Sequence, residues 1–396
     1  MNIYKRIFLV LFVVFGWCNA QEAKMEETFL DQVADQYEFL YHNSIKFLDT
    51  DKPMPRTIVD GKLHSVGIYD WTSGFHPGSM WNLYKLTNNT EWKNRALYYT
   101  KLLDSLQYYT GTHDLGFMIG DSYGNALKYI DNQDFERVMV QAAKSLSSRF
   151  KPKAGILQSW NTNDKWQCPV IIDNMMNLEM LFEATKISGD STYYTIAITH
   201  ANTTMRNHFR DDFSSFHVLD YDIDTGKILK RNTAQGYKDE SAWARGQAWG
   251  LYGYVVMYRE TKEVKYLEQA NSIANFINNH KNLPEDKIPY WDYDAPVTNK
   301  TPRDASAAAI TASALYELST YVDGALKTSY VNRASNILKS LSTEPYLAQV
   351  GTNEGFLLKH STGHLPNNSE IDVPINYADY YFLEALLRQR NLKTEN

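Results

Sequence analysis

Hydrophobic residues recur every three or four positions along most of this chain, which is the spacing of amphipathic helices. Breaks such as Thr87-Asn88-Asn89 and Ser188-Gly189-Asp190 separate the periodic segments. Three short segments have the composition of strands and predict hairpins at the rim of the fold. They are Phe216–Tyr221, Ile228–Lys230 and Gly355–Lys359. The pattern predicts twelve helices, near 24–48, 74–87, 91–109, 115–130, 132–149, 170–188, 190–209, 240–260, 262–280, 303–321, 328–343 and 374–391.

The predicted helices alternate in character. Those near 170–188, 240–260 and 303–321 are apolar on nearly all faces, as expected for buried helices, whereas the intervening ones carry a charged face. Six buried helices alternating with six amphipathic ones predict an all-α fold, the closed (α/α)6 barrel, with short β-hairpins at its rim. The alternative is an open solenoid of helix pairs, which requires polar capping repeats, and neither end of this sequence is clearly polar.

The first 20 residues have the composition of a secretory signal peptide. Lys5 and Arg6 precede an apolar run, and Ala20 offers a small residue for cleavage. We therefore expect a periplasmic protein in which residues 21–396 form one catalytic domain, since no linker interrupts them. A lipoprotein anchored at Cys18 is less favoured because the bulky Trp17 precedes it. No later segment is long and apolar enough to span a membrane.

Composition excludes several classes of function. The 396 residues carry a net charge of −6 without basic runs, which argues against nucleic-acid binding. Aromatic residues make up 14%, including 28 tyrosines, and such rings suit sugar binding. The sequence contains no metal-ligand spacing, phosphate loop or dinucleotide fingerprint, so we expect no metal and no cofactor. We expect a monomer or a weak dimer.

Unusual polar residues stand where the buried helices are predicted to begin. In a ring of antiparallel pairs these starts converge on one face, where free N–H groups favour an anionic ligand. The residues concerned are Asp70-Trp71, His76, His113-Asp114, Asp173-Asn174, Arg245, Arg303-Asp304 and Asp379.

Asp114 and Asp173 form the first candidate site. Ile171 and Ile172 precede Asp173 and methionines follow it, so desolvation is expected to raise the pKa of this carboxyl. Paired carboxyls of this kind perform general acid–base chemistry on sugars. The alternative is that both aspartates are helix N-caps.

Arg245 and Trp249 form the second candidate site, four residues apart and therefore on one helix face. A guanidinium can hold a carboxylate through two hydrogen bonds, and an indole beside it can support a sugar ring. The alternative is a buried ion pair next to a tryptophan of the core.

Several long motifs, in order, resemble the unsaturated glucuronyl hydrolases, glycoside hydrolase family 88, over nearly the whole predicted mature chain. The resemblance departs at His76, where the family commonly has a tryptophan, and in Thr362–Ile375. The motifs are Asp70–Phe75, His113–Phe117, Ile172–Leu178, Ser214–His217, Trp243–Gly250, Tyr290–Asp292, Arg303–Ala307 and Asp379–Leu387.

The resemblance implies the same barrel and an unusual reaction. A 4,5-unsaturated uronic acid at the non-reducing end of an oligosaccharide is hydrated at C4=C5, and the hemiketal opens to release the next sugar. It implies Asp173 as the general acid/base and Asp114 as the auxiliary carboxylate. The implied substrate-binding residues are His113, His217, Gln235, Arg245, Trp249, Trp71 and Trp160.

The implied substrates are lyase products of ulvan or glycosaminoglycan type, which couples this enzyme to polysaccharide lyases. The sequence leaves three alternatives open. One is an unsaturated rhamnogalacturonyl hydrolase of the same fold, and another is a non-catalytic periplasmic oligosaccharide-binding protein. The third is an ordinary inverting glycosidase acting on saturated sugars.

Overall fold

The structure, a computed structural model, describes the backbone of residues 3–394 and the side chains of residues 24–394. The signal peptide predicted for residues 1–20 lies outside the described side chains and stays a prediction. No helix in the described part is long and apolar enough to cross a membrane. The α-helices there are α1 (Ile3–Ser44), α2 (Phe75–Thr87), α3 (Thr90–Leu102), α4 (Asn125–Leu127), α5 (Gln133–Ser147), α6 (Leu178–Ser188), α7 (Ser191–Asn207), α8 (Ala244–Thr261), α9 (Val264–Asn279), α10 (Ala305–Leu318), α11 (Gly324–Leu341) and α12 (Asn376–Thr394).

The inner helices form a closed ring, which confirms the predicted (α/α)6 barrel. A π-helical segment, Gly116–Gly124, runs into α4 and takes the second place in this ring. From α2 the ring passes through this segment, α6, α8, α10 and α12, and α12 packs back against α2. The outer layer consists of α1, α3, α5, α7, α9 and α11, each packed on inner elements.

Small residues let the inner helices approach one another closely. Thirteen of the 14 residues of α10 are buried, and most are Ala, Ser or Thr. In α8, a Cβ added at Gly253 would lie 2.5 Å from the Cβ of Met175, so only glycine fits there. The outer helices dock through large aromatic rings instead, and Trp92 and Tyr266 are almost wholly buried against the inner layer.

In the part of the chain that the structure describes, nine short strands form the rim and edges of the barrel. Strands β6 and β7 confirm two predicted pieces, and β5 joins them in one sheet. The strand predicted at Gly355–Lys359 is reduced to a single antiparallel bridge between Leu358 and Leu347, because Asp379 accepts the backbone N–H groups of Leu357 and Leu358 at 2.8 and 2.9 Å. The strands are β1 (Met54–Val59), β2 (Lys62–Val66), β3 (Phe150–Lys151), β4 (Ile156–Leu157), β5 (Pro169–Ile171), β6 (Val218–Tyr221), β7 (Ile228–Asn232), β8 (Ser361–His364) and β9 (Ser369–Val373).

Two hairpins from opposite ends of the chain meet at the rim. The β1–β2 hairpin contributes Arg56, whose Nε and Nη2 donate to Glu370 on β9 at 2.6 and 2.9 Å. The Thr57 hydroxyl donates to the carbonyl of Pro374 at 2.6 Å, just beyond β9. These contacts hold the segment Thr362–Ile375 over the starts of the inner helices.

Candidate active site

A cavity opens where the inner helices begin, enclosing about 790 Å³ of empty space, part of it open to solvent. Side chains at or just before the starts of five inner elements line it, which confirms that these ends converge. The β1–β2 and β8–β9 hairpins, together with the loop residues Trp160 and Gln235, supply the remaining wall. The lining residues are Arg56, Trp71, His113, Asp114, Trp160, Ile171, Asp173, Gln235, Arg245, Gly363, His364, Asn367, Ser369, Glu370 and Tyr377.

Asp173 lies in the cavity wall and is only 7% exposed. It stands in a 3-10 turn, Ile172–Asn177, that leads into α6. Burial raises the pKa of this carboxyl to about 7, against the opposing positive charge of Arg245, and the negative charge of Asp114 adds to the rise. One oxygen, Oδ2, has no hydrogen-bond partner. Asp173 is therefore a carboxyl that exchanges its proton near neutral pH.

His217 stands behind Asp173 rather than in the cavity lining. Its Nδ1 accepts the backbone N–H groups of Ala234 and Gln235, both at 3.1 Å, so the proton of the neutral ring is on Nε2. That Nε2 lies 3.8 Å from Oδ2 of Asp173, which is too long for a hydrogen bond. Burial lowers the pKa of His217 well below its usual value. A neutral N–H donor therefore faces the carboxyl.

Asp114 and His113 form a pair in the cavity wall. The Nε2 of His113 lies 3.1 Å from one Asp114 oxygen, and the hydroxyl of Thr112 donates to the other at 2.5 Å. Burial lowers the pKa of His113, although Asp114 opposes this effect. These contacts fix the orientation of the Asp114 carboxylate, and its charge acts on Asp173 as described above.

Arg245 lies in the cavity wall, but its two terminal nitrogens are already engaged. Nη1 donates to Asp304 at 3.1 Å and to the carbonyl of Thr362 at 2.6 Å, and Nη2 donates to the carbonyl of Gly363 at 2.7 Å. The two-bond carboxylate clamp predicted from the sequence does not fit this arrangement. Arg245 instead anchors β8 and places positive charge near Asp173.

The predicted aromatic residues separate into two groups. Trp71 and Trp160 line the cavity and can stack on a sugar ring. Trp249 is 0% exposed and packs against Phe117 and Tyr381, so its predicted role as a stacking surface is wrong. Its indole N–H lies beside the Asp173 carboxyl and favours the charged form of that group. The spacing of residues in the sequence predicts which face of the helix carries Trp249, but it does not predict how deeply the indole ring is buried.

His76 belongs to the core and not to the site. It is fully buried, its Nδ1 lies 2.9 Å from the hydroxyl of Tyr37, and burial lowers its pKa to about 3. Asp379 is structural as well, because both of its oxygens accept backbone N–H groups outside the cavity. Asp304 caps α10 and pairs with Arg245.

Gln235 lines the cavity, and its amide donates to the carbonyl of Gly363 at 3.1 Å; its contact with substrate stays a prediction. Sequence reasoning missed Tyr377, the second residue of α12. The residue lines the cavity, and its buried hydroxyl has no hydrogen-bond partner. Arg56 and Glu370 were also missed, since nothing in the sequence pairs residues 314 positions apart. Tyr377 lies two residues before Asp379, where one of the family motifs begins. That closeness to a motif is the signal by which the sequence could have indicated Tyr377.

The side chains at the site include aromatic rings, neutral histidines, amides and carboxyls. Within residues 24–394, no group of three or more His, Cys, Asp or Glu residues could hold a metal ion. A carboxyl with a pKa of about 7 in a cavity wall, as at Asp173, is able to donate and to accept a proton near neutral pH.

Comparison with known proteins identifies the family. The sequence profile of Glycosyl Hydrolase Family 88 matches residues 50–382. The unsaturated glucuronyl hydrolase of Formosa agariphila is 43% identical over 98% of this chain and 99% of that protein. A solved unsaturated glucuronyl hydrolase specific for heparin is 46% identical, with a TM-score of 0.88 over 93% of this chain and 98% of its own.

A third relative was solved with a sugar bound. It is a substituted unsaturated glucuronyl hydrolase of Streptococcus agalactiae complexed with dGlcA-GalNAc6S, 28% identical, with a TM-score of 0.74 over 92% of this chain and 90% of its own. Family match, sequence identity and fold agree along nearly the whole length. The chain is an enzyme that belongs to glycoside hydrolase family 88.

Proposed function

We propose that this enzyme is an unsaturated glucuronyl hydrolase, which removes a 4,5-unsaturated uronyl residue from the non-reducing end of an oligosaccharide. The observation that carries the proposal is Asp173, a buried carboxyl in the cavity wall with a pKa of about 7. A single group that first gives and then takes a proton works best when its pKa is near the working pH. The activity of the relatives agrees with this assignment.

The reaction adds water across C4=C5. The protonated Asp173 donates its proton to C4, and positive charge develops at C5, where the ring oxygen stabilises it. A water molecule then bonds to C5 and loses a proton to the Asp173 carboxylate, which restores the acid. The resulting hemiketal opens by breaking the bond between C5 and the ring oxygen. The remaining hemiacetal at C1 collapses and releases the next sugar.

Neutral donors hold the substrate in this proposal. The guanidinium groups of Arg56 and Arg245 are neutralised by carboxylates, so they are poor partners for a second anion. In the cavity wall, the ring of His113 and the hydroxyl of Tyr377 make no hydrogen bond and remain for the uronate and its hydroxyls. Trp71 supports the unsaturated ring, and Trp160 supports the sugar beyond it.

The test uses the ultraviolet absorbance of the conjugated alkene and carboxylate. We expect purified enzyme to abolish this absorbance with disaccharides produced by polysaccharide lyases, and to leave the corresponding saturated disaccharides intact. Persistent absorbance across products from glycosaminoglycan, ulvan, gellan and xanthan lyases would contradict the proposal. Turnover of the saturated sugars would favour an ordinary glycosidase.

We further propose that residues 1–20 direct the enzyme to the periplasm, where it consumes the products of polysaccharide lyases. The charged, apolar and small-residue regions before Gln21 support this location. N-terminal sequencing of the enzyme from the periplasmic fraction is expected to begin at Gln21. A lipid-modified Cys18 at the N-terminus would favour the lipoprotein alternative instead.

A further inference from the structure

The Tyr290–Asp292 motif contains a buried carboxyl that has no part in the reaction described above. Asp292 is 0% exposed and does not line the cavity that contains Asp173. It stands between α9 and α10, where its backbone forms an antiparallel bridge with Trp243 just before α8. Because a buried carboxyl requires hydrogen-bond partners, the partners of Asp292 indicate what it holds in place.

These partners belong to one loop, residues 233–241, which joins β7 to α8. Oδ2 of Asp292 accepts the backbone N–H of Tyr237 at 2.9 Å and lies 2.7 Å from the hydroxyl of Ser241. A Cβ added at Gly236 would lie 3.1 Å from the same oxygen, so the loop packs directly on the carboxyl. Asp292 therefore fixes the second half of the 233–241 loop.

The first half of the same loop binds His217. Nδ1 of this ring accepts the backbone N–H groups of Ala234 and Gln235, both at 3.1 Å. Two N–H donors on Nδ1 keep the proton of the neutral ring on Nε2. That nitrogen lies 3.8 Å from Oδ2 of Asp173. The loop thus connects a buried carboxyl on one side to the histidine behind the reacting carboxyl on the other.

The position of the histidine proton matters for the reaction. Once Asp173 has given its proton to C4 it is a carboxylate, and an N–H group facing it stabilises the negative charge. In the other tautomer, a lone pair on Nε2 would face the carboxylate and repel it. The ring of Trp243, centred 4.5 Å from that of His217, packs equally well on either tautomer. The hydroxyl of Thr233, 3.4 Å from Nδ1, offers the other tautomer an acceptor, so the loop N–H groups decide between the two.

We propose that Asp292 is a positioning residue for this reaction. It holds the 233–241 loop where the loop N–H groups keep the proton of His217 on Nε2, facing Asp173. The proposal rests on the proposed function and adds to it a residue that acts only through the histidine.

The experiment is a double-substitution cycle on Asp292 and His217, with kcat measured by the loss of alkene absorbance. Oδ1 of Asp292 accepts the N–H of Asp294 at 2.9 Å, so in Asp292→Asn the amide nitrogen faces a donor in either orientation. We expect kcat to fall about tenfold, which corresponds to one lost hydrogen bond. In the His217→Gln background, which has no ring tautomer to select, Asp292→Asn should change kcat by less than about twofold. Equal losses in both backgrounds would overturn the proposal.

Nitrogen-15 NMR of enzyme labelled at histidine reads the tautomer without substrate, because protonated and unprotonated ring nitrogens resonate far apart. We expect wild-type His217, assigned by the loss of its signals in His217→Gln, to carry its proton on Nε2. Asp292→Asn should move a measurable fraction of that proton to Nδ1, and an unchanged tautomer would overturn the proposal. If Asp292→Asn does not fold, Ser241→Ala removes one partner of the carboxyl instead. It should lower kcat about two- to threefold with the same change of tautomer, and the absence of both effects would overturn the proposal.

Asp379→Asn is the matched control, because Asp379 is also a buried carboxyl that accepts two backbone N–H groups, but in another part of the fold. It should leave the His217 tautomer and kcat unchanged, and an effect equal to that of Asp292→Asn would overturn the proposal. Absence of turnover with every unsaturated disaccharide would overturn the proposed function. The tautomer measurement would still test the hold of Asp292 on His217 in that case, so the two failures are distinguishable.

Discussion

Replacing Asp173 by asparagine isolates the proton-transfer step. The amide keeps the size and shape of the carboxyl but can neither donate an acidic proton to C4 nor accept one from water. Positioned proton transfer typically contributes 10²- to 10⁴-fold to a rate, and here one group serves both halves of the reaction. We therefore expect kcat to fall by about 10⁴-fold, which corresponds to about 5 kcal/mol.

The same substitution should increase stability at neutral and higher pH. The pKa of Asp173 rises from 3.8 in the unfolded chain to about 7 in the folded enzyme, so folding disfavours the charged form. The wild type consequently loses stability as the pH rises from about 4 to 7. The full difference corresponds to about 4 kcal/mol above pH 7 and disappears below pH 4. Asp173→Asn should be more stable than wild type at pH 8 and equal to it near pH 4.

Asp379→Asn is the control, because burial also raises the pKa of Asp379, to about 8. Its oxygens accept the N–H groups of Leu357 and Leu358, and an amide nitrogen would face one of these donors. We expect this variant to keep turnover when folded and to lose about 1–3 kcal/mol of stability near pH 4, where the raised pKa itself makes no difference between the two proteins.

For both variants, turnover is measured by the loss of alkene absorbance. Stability is measured by thermal unfolding at several pH values. Near-wild-type kcat in Asp173→Asn would refute the assignment of the acid/base. A stability difference independent of pH would refute the raised pKa.

Three further substitutions test other parts of the site. Asp114→Asn removes a negative charge that raises the pKa of Asp173, so the loss of kcat/KM at high pH should shift to lower pH; an unchanged pH profile would contradict this coupling. Tyr377→Phe removes one unpaired hydroxyl and should raise KM about five- to tenfold, while circular dichroism shows an intact fold. An unchanged KM would place that hydroxyl away from the substrate. Glu370→Gln breaks the ion pair with Arg56 that joins the two rim hairpins. It should lower the free energy of unfolding, measured by denaturant titration, by about 2–4 kcal/mol. Unaltered stability would mean that the hairpins do not depend on this pair.

The sequence predicts most of the barrel because helix periodicity is a local property. Apolar positions identified most helical segments, and the all-apolar character of α8 and α10 identified them as inner helices. The helix predicted near 170–188 begins only at Leu178, because the residues before it form β5 and a 3-10 turn. The setting of Asp173 between isoleucines and methionines predicted a raised pKa, which the structure bears out. The apolar residues that surround the Asp173 carboxyl include its neighbours in the sequence, so its raised pKa could be inferred from the sequence.

Features that depend on distant residues were not predictable in the same way. The Arg56–Glu370 pair joins two hairpins from opposite ends of the chain, and no local pattern encodes that register. Trp71 and Trp249 both occur in recognisable motifs, yet one lines the cavity and the other is buried behind it. The commitment of Arg245 to the carbonyls of Thr362 and Gly363 likewise depends on how β8 folds over α8.

Early-time proton NMR of the reaction in D₂O tests the order of bond changes most directly. Hydration predicts that the vinyl proton signal at C4 disappears no later than the released sugar appears, and that the first product carries one deuterium at C4. Release of the second sugar while the vinyl signal persists would mean attack at the anomeric carbon, and would contradict the role given to Asp173.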